Sequence, residues 1–283
     1  MKRNNGLKSF YLIMGIFFLV VIGILIYPSI VMVISSFQDT STGAFTFDNY
    51  VRIFSESQYT SGFKNSITLS IISSIIGLLI TVIATYGIYC NMPRLKSFFL
   101  MLANLTANYV GVPLSFWLIL LLGNAGILTN IANANDWAIL DHFSIYSVSG
   151  LLLGFIYFQI PMGITLLLPI YDALDKNWRE AASLLGASSF QYWKRIGLPV
   201  LFPSLIGIFS MMFANAIGTY DTAVALTGSS VNMISINIAN TIQGDIFALP
   251  EVGSAISVIL GVVLLINMGM GQWLSNRNRR IAG

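Results

Sequence analysis

The sequence predicts an all-α membrane protein with six transmembrane helices. Composition is the first ground. Of 283 residues, 56% are hydrophobic and only 9% charged, against about 25% charged in a soluble domain. The mean hydropathy is +0.79. Charge spacing is the second ground. No charged side chain lies between Lys8 and Asp39, Lys64 and Arg94, Lys96 and Asp136, His142 and Asp172, Arg195 and Asp221, or Glu251 and Arg277. Each gap exceeds the roughly 20 residues an α-helix needs to cross about 30 Å of hydrocarbon. In lipid every backbone N–H and C=O must pair within its segment or close a barrel, and these runs are too long for barrel strands.

The helices are expected near 11–35, 66–90, 98–122, 148–171, 201–226 and 252–274, in a single membrane domain over 1–283. The first follows a basic stretch, MKRNNGLK, that could open a signal peptide. Its apolar core is too long for one and no convincing small-x-small site follows, so it reads as a retained helix. The second carries SIISSIIG at 70–77, small residues suited to close helix packing. It ends on Cys90. One Cys and one His (His142) exclude a disulfide framework and a zinc cluster. The third carries Asn104, Thr106, Asn108 and Tyr109, with Asn104 and Asn108 on one face. The fourth has Tyr157 and Gln159 before Pro161. The fifth opens after Pro199, where a missing N–H does no harm. It holds LIGIFS at 205–210, core-filling Met211 and Met212, and a polar end of Asn215, Thr219, Tyr220 and Asp221. The sixth begins beside Glu251.

Basic residues orient the bundle. With both termini cytoplasmic, twelve of the fourteen Lys and Arg face inward: Lys2, Arg3, Lys8, Arg94, Lys96, Lys176, Arg179, Lys194, Arg195, Arg277, Arg279 and Arg280. Only Arg52 and Lys64 face out, among Asp39, Asp48, Glu56, Asp136, Asp141, Asp245 and Glu251. The expected location is a bacterial inner membrane.

That orientation puts the most polar segment of the second half, 172–199, in the cytoplasm. Its first part, YDALDKNWREAASLLGA, reads as a helix ended or broken at Gly186. Its second part, SSFQYWKRIGLP, can form a helical stub with Phe190, Tyr192, Trp193 and Ile196 as apolar contacts. By its residues alone it is either an ordinary interfacial loop or a surface on which another protein packs closely.

Glu180, Ala181, Ala182, Gly186, Ile196, Leu198 and Pro199 match EAA-x3-G-x9-I-x-L-P. This resembles the signature loop of the permease subunits of binding-protein-dependent ABC importers, with the type I (MetI-like) fold over about 60–275. The resemblance implies that the loop is a coupling helix seated in a groove of the ATPase. Glu180 would be the acidic contact, Ala181 and Ala182 the packing face and Gly186 the turn. It implies a second permease subunit, more often a homologue than a copy, an ABC ATPase dimer and an external solute-binding protein. ATP and magnesium would be used by the ATPase, with no cofactor on this chain. A second stretch, 215–243, is similar to spermidine/putrescine permeases and their relatives for iron(III), thiamine or phosphonate. It points first to a polyamine, with iron(III), thiamine, phosphonate or sugar as alternatives. Asp221 departs from the uncharged residue common there.

The candidate pathway residues are Asn104, Asn108, Tyr109, Gln159, Asn215, Tyr220 and Asp221. Polar groups at depth mark either a pathway or interhelical hydrogen bonds. Asp221, roughly 30 Å along a straight fifth helix at about 1.5 Å per residue, is either a solvated exit residue or a carboxylate attracting cations to the outer mouth.

No phosphate loop of the GxxxxGK[ST] type is present, so ATP hydrolysis is assigned elsewhere. No HExxH, paired catalytic carboxylates, nucleophile elbow, metal cluster or nucleic-acid module is read. An ion-coupled secondary carrier is the rival. It needs ionisable groups near the midplane, and the spans supply only Asp221, at one end.

Overall fold

The computed structural model describes residues 3–135, 137, 143–171, 174, 176–243 and 248–282. Asp136, Asp141, His142, Asp172, Asp175 and Asp245 lie outside them. Among the described residues every regular element is helical, and the extended pairing is one isolated antiparallel bridge, Gln38–Phe45. Six segments are long and apolar enough to cross a membrane: Phe10–Ser35, Ser57–Asn91, Val112–Ala134, Val148–Tyr171, Ser189–Gly218 and Pro250–Ser275.

The chain folds as two compact units. The first comprises Met1–Thr60 with Asn237–Val262, and the second Ser61–Ile236 with Val263–Gly283. In the first, α1 (Arg3–Val21) passes through a π turn at Ile22–Ile26 into α2 (Tyr27–Ser35). No residue from Phe10 to Ser35 is buried within the chain. A tight hairpin follows and leads into α3 (Asp48–Ser55). At its tip Asp39 Oδ1 accepts the N–H and hydroxyl of both Ser41 and Thr42, at 2.6–3.0 Å. These donors hold its carboxyl well below the usual carboxylate range.

The second unit takes in most of α4 (Ser57–Asn91), then α5 (Lys96–Ala107), α6 (Val112–Leu122), α7 (Ile127–Ala134), α8 (Val148–Tyr171), α9 (Lys176–Leu184), α10 (Ser189–Tyr192), α11 (Leu198–Gly218) and α12 (Asp221–Thr227). After these come α13 (Ile234–Gln243) and α14 (Pro250–Ala282), each shared between the units. Helix α8 is central: α5, α6, α11 and α12 all pack on it. Along α4 a stripe of Ser66, Ser70, Ser73, Ser74, Thr81 and Thr85 is buried at helical spacing. Such small side chains let helix backbones approach in a medium where apolar burial gives no drive. Gln159 of α8, fully buried, donates from Nε2 to Ser73 Oγ at 3.0 Å. The first core cluster gathers Leu114, Leu118, Leu151, Phe155 and Leu226. The second gathers Leu167, Tyr171, Leu201, Ile208 and Met212.

Two expected spans are not continuous helices. The run drawn over 98–122 breaks at Asn108–Gly111, between α5 and α6, and the run over 201–226 breaks at Thr219–Tyr220, between α11 and α12. Gly111 has φ 79°, which stops a right-handed helix. Pro113 near the start of α6 suits a new helix N-terminus. The fourth helix, 148–171, has the bounds read from sequence, and the second starts nine residues earlier, at Ser57 rather than 66.

Candidate functional site

Two places gather the candidate residues. The first is the loop between the fourth and fifth spans. Helix α9 ends in a Schellman turn: Gly186 N–H donates to Ser183 O at 3.0 Å and Ala187 N–H to Ala182 O at 2.9 Å. Gly186 takes the left-handed residue, at φ 78°. A capping box follows at once. Ser188 Oγ accepts Gln191 N–H at 3.3 Å, and Gln191 Oε1 accepts Ser188 N–H at 2.8 Å. Each orphan helix end thus meets a partner within three residues, and the helix–turn–helix can hold its angle as one body.

Beneath the loop lies an aromatic buttress. Trp193 packs edge-on to Tyr86 at 5.1 Å and against Tyr171 at 5.8 Å, and Tyr89 meets Tyr171 at 5.2 Å. Arg179 Nη1 reaches Cys90 Sγ at 4.0 Å, tying α9 to the end of α4. The sequence reading named Trp193 as an apolar contact. It missed Tyr86, Tyr89 and Tyr171, which come from distant elements and carry no local signal.

The signature residues divide by exposure. Glu180 and Ala181 face outward, whereas Ala182 is buried against the chain. The two alanines expected on one packing face therefore differ in exposure, as neighbours 100° apart on a helix can. Ala181, Ala182, Gly186, Ile196, Leu198 and Pro199 line a groove of about 1170 Å³. Leu185 in its lining and the adjacent Leu184 are 87% and 88% exposed. Apolar side chains so exposed on a polar loop suit a protein partner.

The second place is where the two helix breaks meet. Gly111 N–H donates to Thr222 Oγ1 at 3.1 Å, and Ser115 Oγ lies 3.4 Å from Thr222 O. Thr222 and Ser115 are buried. A Cβ on Gly111 would lie 3.3 Å from Asp221 Cβ and 3.7 Å from its Oδ2. Asp221 therefore stands exposed at the first position of α12, against the third span's break, and not along a straight fifth helix. Tyr220 precedes it, half-buried. Sequence reasoning missed the clasp, although the spacing Gly111-Val112-Pro113 is a helix-restart signal.

The other candidates fall apart from this clasp. Asn104 and Asn108 are exposed on one face of α5, lining a groove of about 520 Å³, and Asn108 Nδ2 caps Asn104 O at 2.7 Å. Tyr109 OH accepts Trp117 Nε1–H at 2.9 Å. Asn215 reaches Met162 Sδ at 3.6 Å. Gln159 is an interhelical donor in the core.

Comparison with known proteins returns the same fold and class. Residues 84–280 match the family model described as binding-protein-dependent transport system inner membrane component. A probable sulfate transport system permease protein cysT of Prototheca wickerhamii is 34% identical over 44% of this chain and 50% of its own. The ferric transport system permease protein FbpB of Actinobacillus pleuropneumoniae is 26% identical over 94% of this chain and 38% of its own. The α-glucoside transport system permease protein AglG of Rhizobium meliloti is 30% identical over 70% of this chain and 52% of its own. The chain thus spans about half or less of the length of these curated relatives. The crystal structure of a bacterial ABC transporter for import of the acidic polysaccharide alginate superposes with a TM-score of 0.78. Its chain is 18% identical, and the match covers 98% of this chain and 99% of that one. A second solved alginate transporter, in complex with a pentasaccharide-bound periplasmic protein, superposes with a TM-score of 0.77. The chain is a multi-pass inner-membrane protein with the fold of an ABC importer's membrane subunit, and it belongs to the family of binding-protein-dependent transport system inner membrane components.

Proposed function

We propose that this chain is half of the pore of an ATP-driven importer, and that the loop at 176–199 is its mechanical input. The observation that carries the reading is the Schellman turn and capping box around Gly186, which make a rigid lever with Glu180 projecting from it. A motor can transmit a rigid-body movement only through an element that does not bend. On this reading both termini are cytoplasmic and ATP with magnesium is used by a separate ATPase dimer. A second permease subunit completes the pore, and an external binding protein delivers the solute. Glu180, Ala181, Gly186, Ile196, Leu198 and Pro199 face the ATPase, while Ala182 secures the lever from behind.

For the solute we favour a cation, supported by Asp221 at the mouth formed by the two breaks. A polyamine is the reading from sequence. The ferric relative, matched over 94% of this chain, makes iron(III) the second. The sulfate and α-glucoside names among the relatives argue the other way, and uptake by an Asp221 variant decides between the two. Asn104, Asn108, Tyr109, Asn215 and Tyr220 are proposed to line the same path, with Gln159 supporting it from the core.

The test is the assembled complex in proteoliposomes. Binding protein loaded with solute should stimulate ATP hydrolysis, and uptake should stop without ATP. Uptake driven by an ion gradient alone would instead establish a secondary carrier. Asp221→Asn should lower uptake of a cationic solute with binding-protein affinity unchanged. Equal uptake by the variant removes Asp221 from the pathway.

A further inference from the structure

We propose that residues 37–56 form an anchor in the membrane interface, with one face of α3 lying in the headgroup–acyl boundary at the Ser35 end of the first span. Helix α3 has three distinct faces. Asn49 and Ile53, one turn apart, are buried at 6% and 0% exposure. Asp48 and Arg52 form a second, charged face, where Arg52 Nε pairs with Glu56 Oε1 at 2.5 Å. Phe47, Val51 and Phe54, at spacings of four and three, form a third, and they are 59%, 60% and 68% exposed. Phe45, at 72%, packs edge-on beside them, its ring 5.3 Å from that of Phe47.

A short helix with a continuous apolar stripe beside a charged one lies in an interface plane, apolar side down. Aromatic side chains concentrate at that depth. The internally paired charges reduce the cost of sitting among headgroups.

Lipid is the occupant because of covalent continuity. The hairpin begins directly after Phe10–Ser35, a segment long and apolar enough to cross the membrane, so its first residues emerge at the interface. It is also locked to the end of that span. Asn49 Nδ2 donates to Ser36 O at 3.0 Å and Gln38 O at 2.9 Å, and Ser36 Oγ lies 2.8 Å from Tyr50 OH. The brace is made at Ser36 and Gln38, the first and third residues past the span's end, so α3 is held close to the interface. Under the topology proposed above this is the outer leaflet. The anchor itself depends only on the chain's spanning the membrane.

The single cysteine makes the test clean. In the full chain with Cys90→Ser, nitroxide labels are placed one at a time by Val51→Cys, Phe54→Cys, Arg52→Cys and Asp48→Cys. The protein is reconstituted in vesicles of zwitterionic and anionic phospholipid. Oxygen, which concentrates in lipid, should relax the labels at 51 and 54 more than a water-soluble nickel chelate does, and the order should reverse at 48 and 52. All four positions lie on solvent- or lipid-exposed faces, and readout needs no transport activity. Equal access of nickel to all four labels overturns the proposal. So does shielding of 51 and 54 from both reagents, or shielding that arises only when a binding protein is added, since each assigns the stripe to a protein partner.

Discussion

The lever at Gly186 can be tested by a graded series, Gly186→Asn, Gly186→Ala and Gly186→Val. The backbone there stands at φ 78°, and an added Cβ meets nothing within 4 Å. Any penalty is therefore conformational rather than steric contact with neighbours. An L-residue in the left-handed region costs about 1–2 kcal/mol, Asn less because its side chain bonds locally. A β-branched residue is a stronger outlier. One to two kcal/mol corresponds to roughly a 5–30-fold loss in the population holding the turn. The strain falls between α9 and α10 and touches none of the spans, so thermal unfolding of the purified complex should move little. Hydrogen exchange at the amides of Gly186 and Ala187, which close the Schellman turn, should accelerate by about that factor for Ala. Solute transported per ATP should fall in the order Gly, Asn, Ala, Val. If Ala retained more coupling than Asn, side-chain size rather than φ would govern the site and the reasoning would be wrong. Wild-type coupling throughout would remove the turn from the mechanism.

Other consequences follow from single contacts. Glu180→Lys, on the exposed face of α9, should leave helicity unchanged but reduce co-purification of the ATPase; full retention at moderate salt refutes its role as the acidic contact. Thr222→Val removes the acceptor for the buried Gly111 N–H and should cost about 1–3 kcal/mol; a lowered melting temperature, recovered in Thr222→Ser, checks it. Asp39, with its pKa depressed from 3.8, stabilises the 39–44 turn above that value and loses its effect only as pH falls through the lower folded value. Exchange at the Ser41 and Thr42 amides, followed from neutral pH down to about 4 and corrected for intrinsic rates, should then stay flat, and a rise near 4 contradicts the turn.

Much of the candidate loop was legible because its features are local. Gly186 after a run of Ala and Leu is a helix stop signal that needs no tertiary partner; Ser188 three residues before Gln191 is an equally local start signal that the sequence reading did not use. The sequence placed Ala181 and Ala182 together, while the fold exposes the first and buries the second, since a count of small residues cannot say which way each points. The breaks at 108–111 and 219–220 escaped a reading built on uncharged gaps, because such a gap measures greasiness and is blind to whether the helix within it is whole.

What the chain's letters determine by themselves is the number of crossings, since lipid admits an uncharged run of this length only as helix. They also set the expected side for each loop, through the placement of Lys and Arg. What only the folded bundle decides is who meets whom. Gly111 and Asp221 are separated by more than a hundred residues, and neither signals the other. They come together because two interrupted spans pack against α8 and settle their freed backbone groups on each other. The same holds for the rings of Tyr86, Tyr171 and Trp193, which brace the lever from three separate helical segments. Unpaired backbone and buried polar groups are costly in hydrocarbon, so their pairing is fixed by packing rather than by sequence neighbourhood.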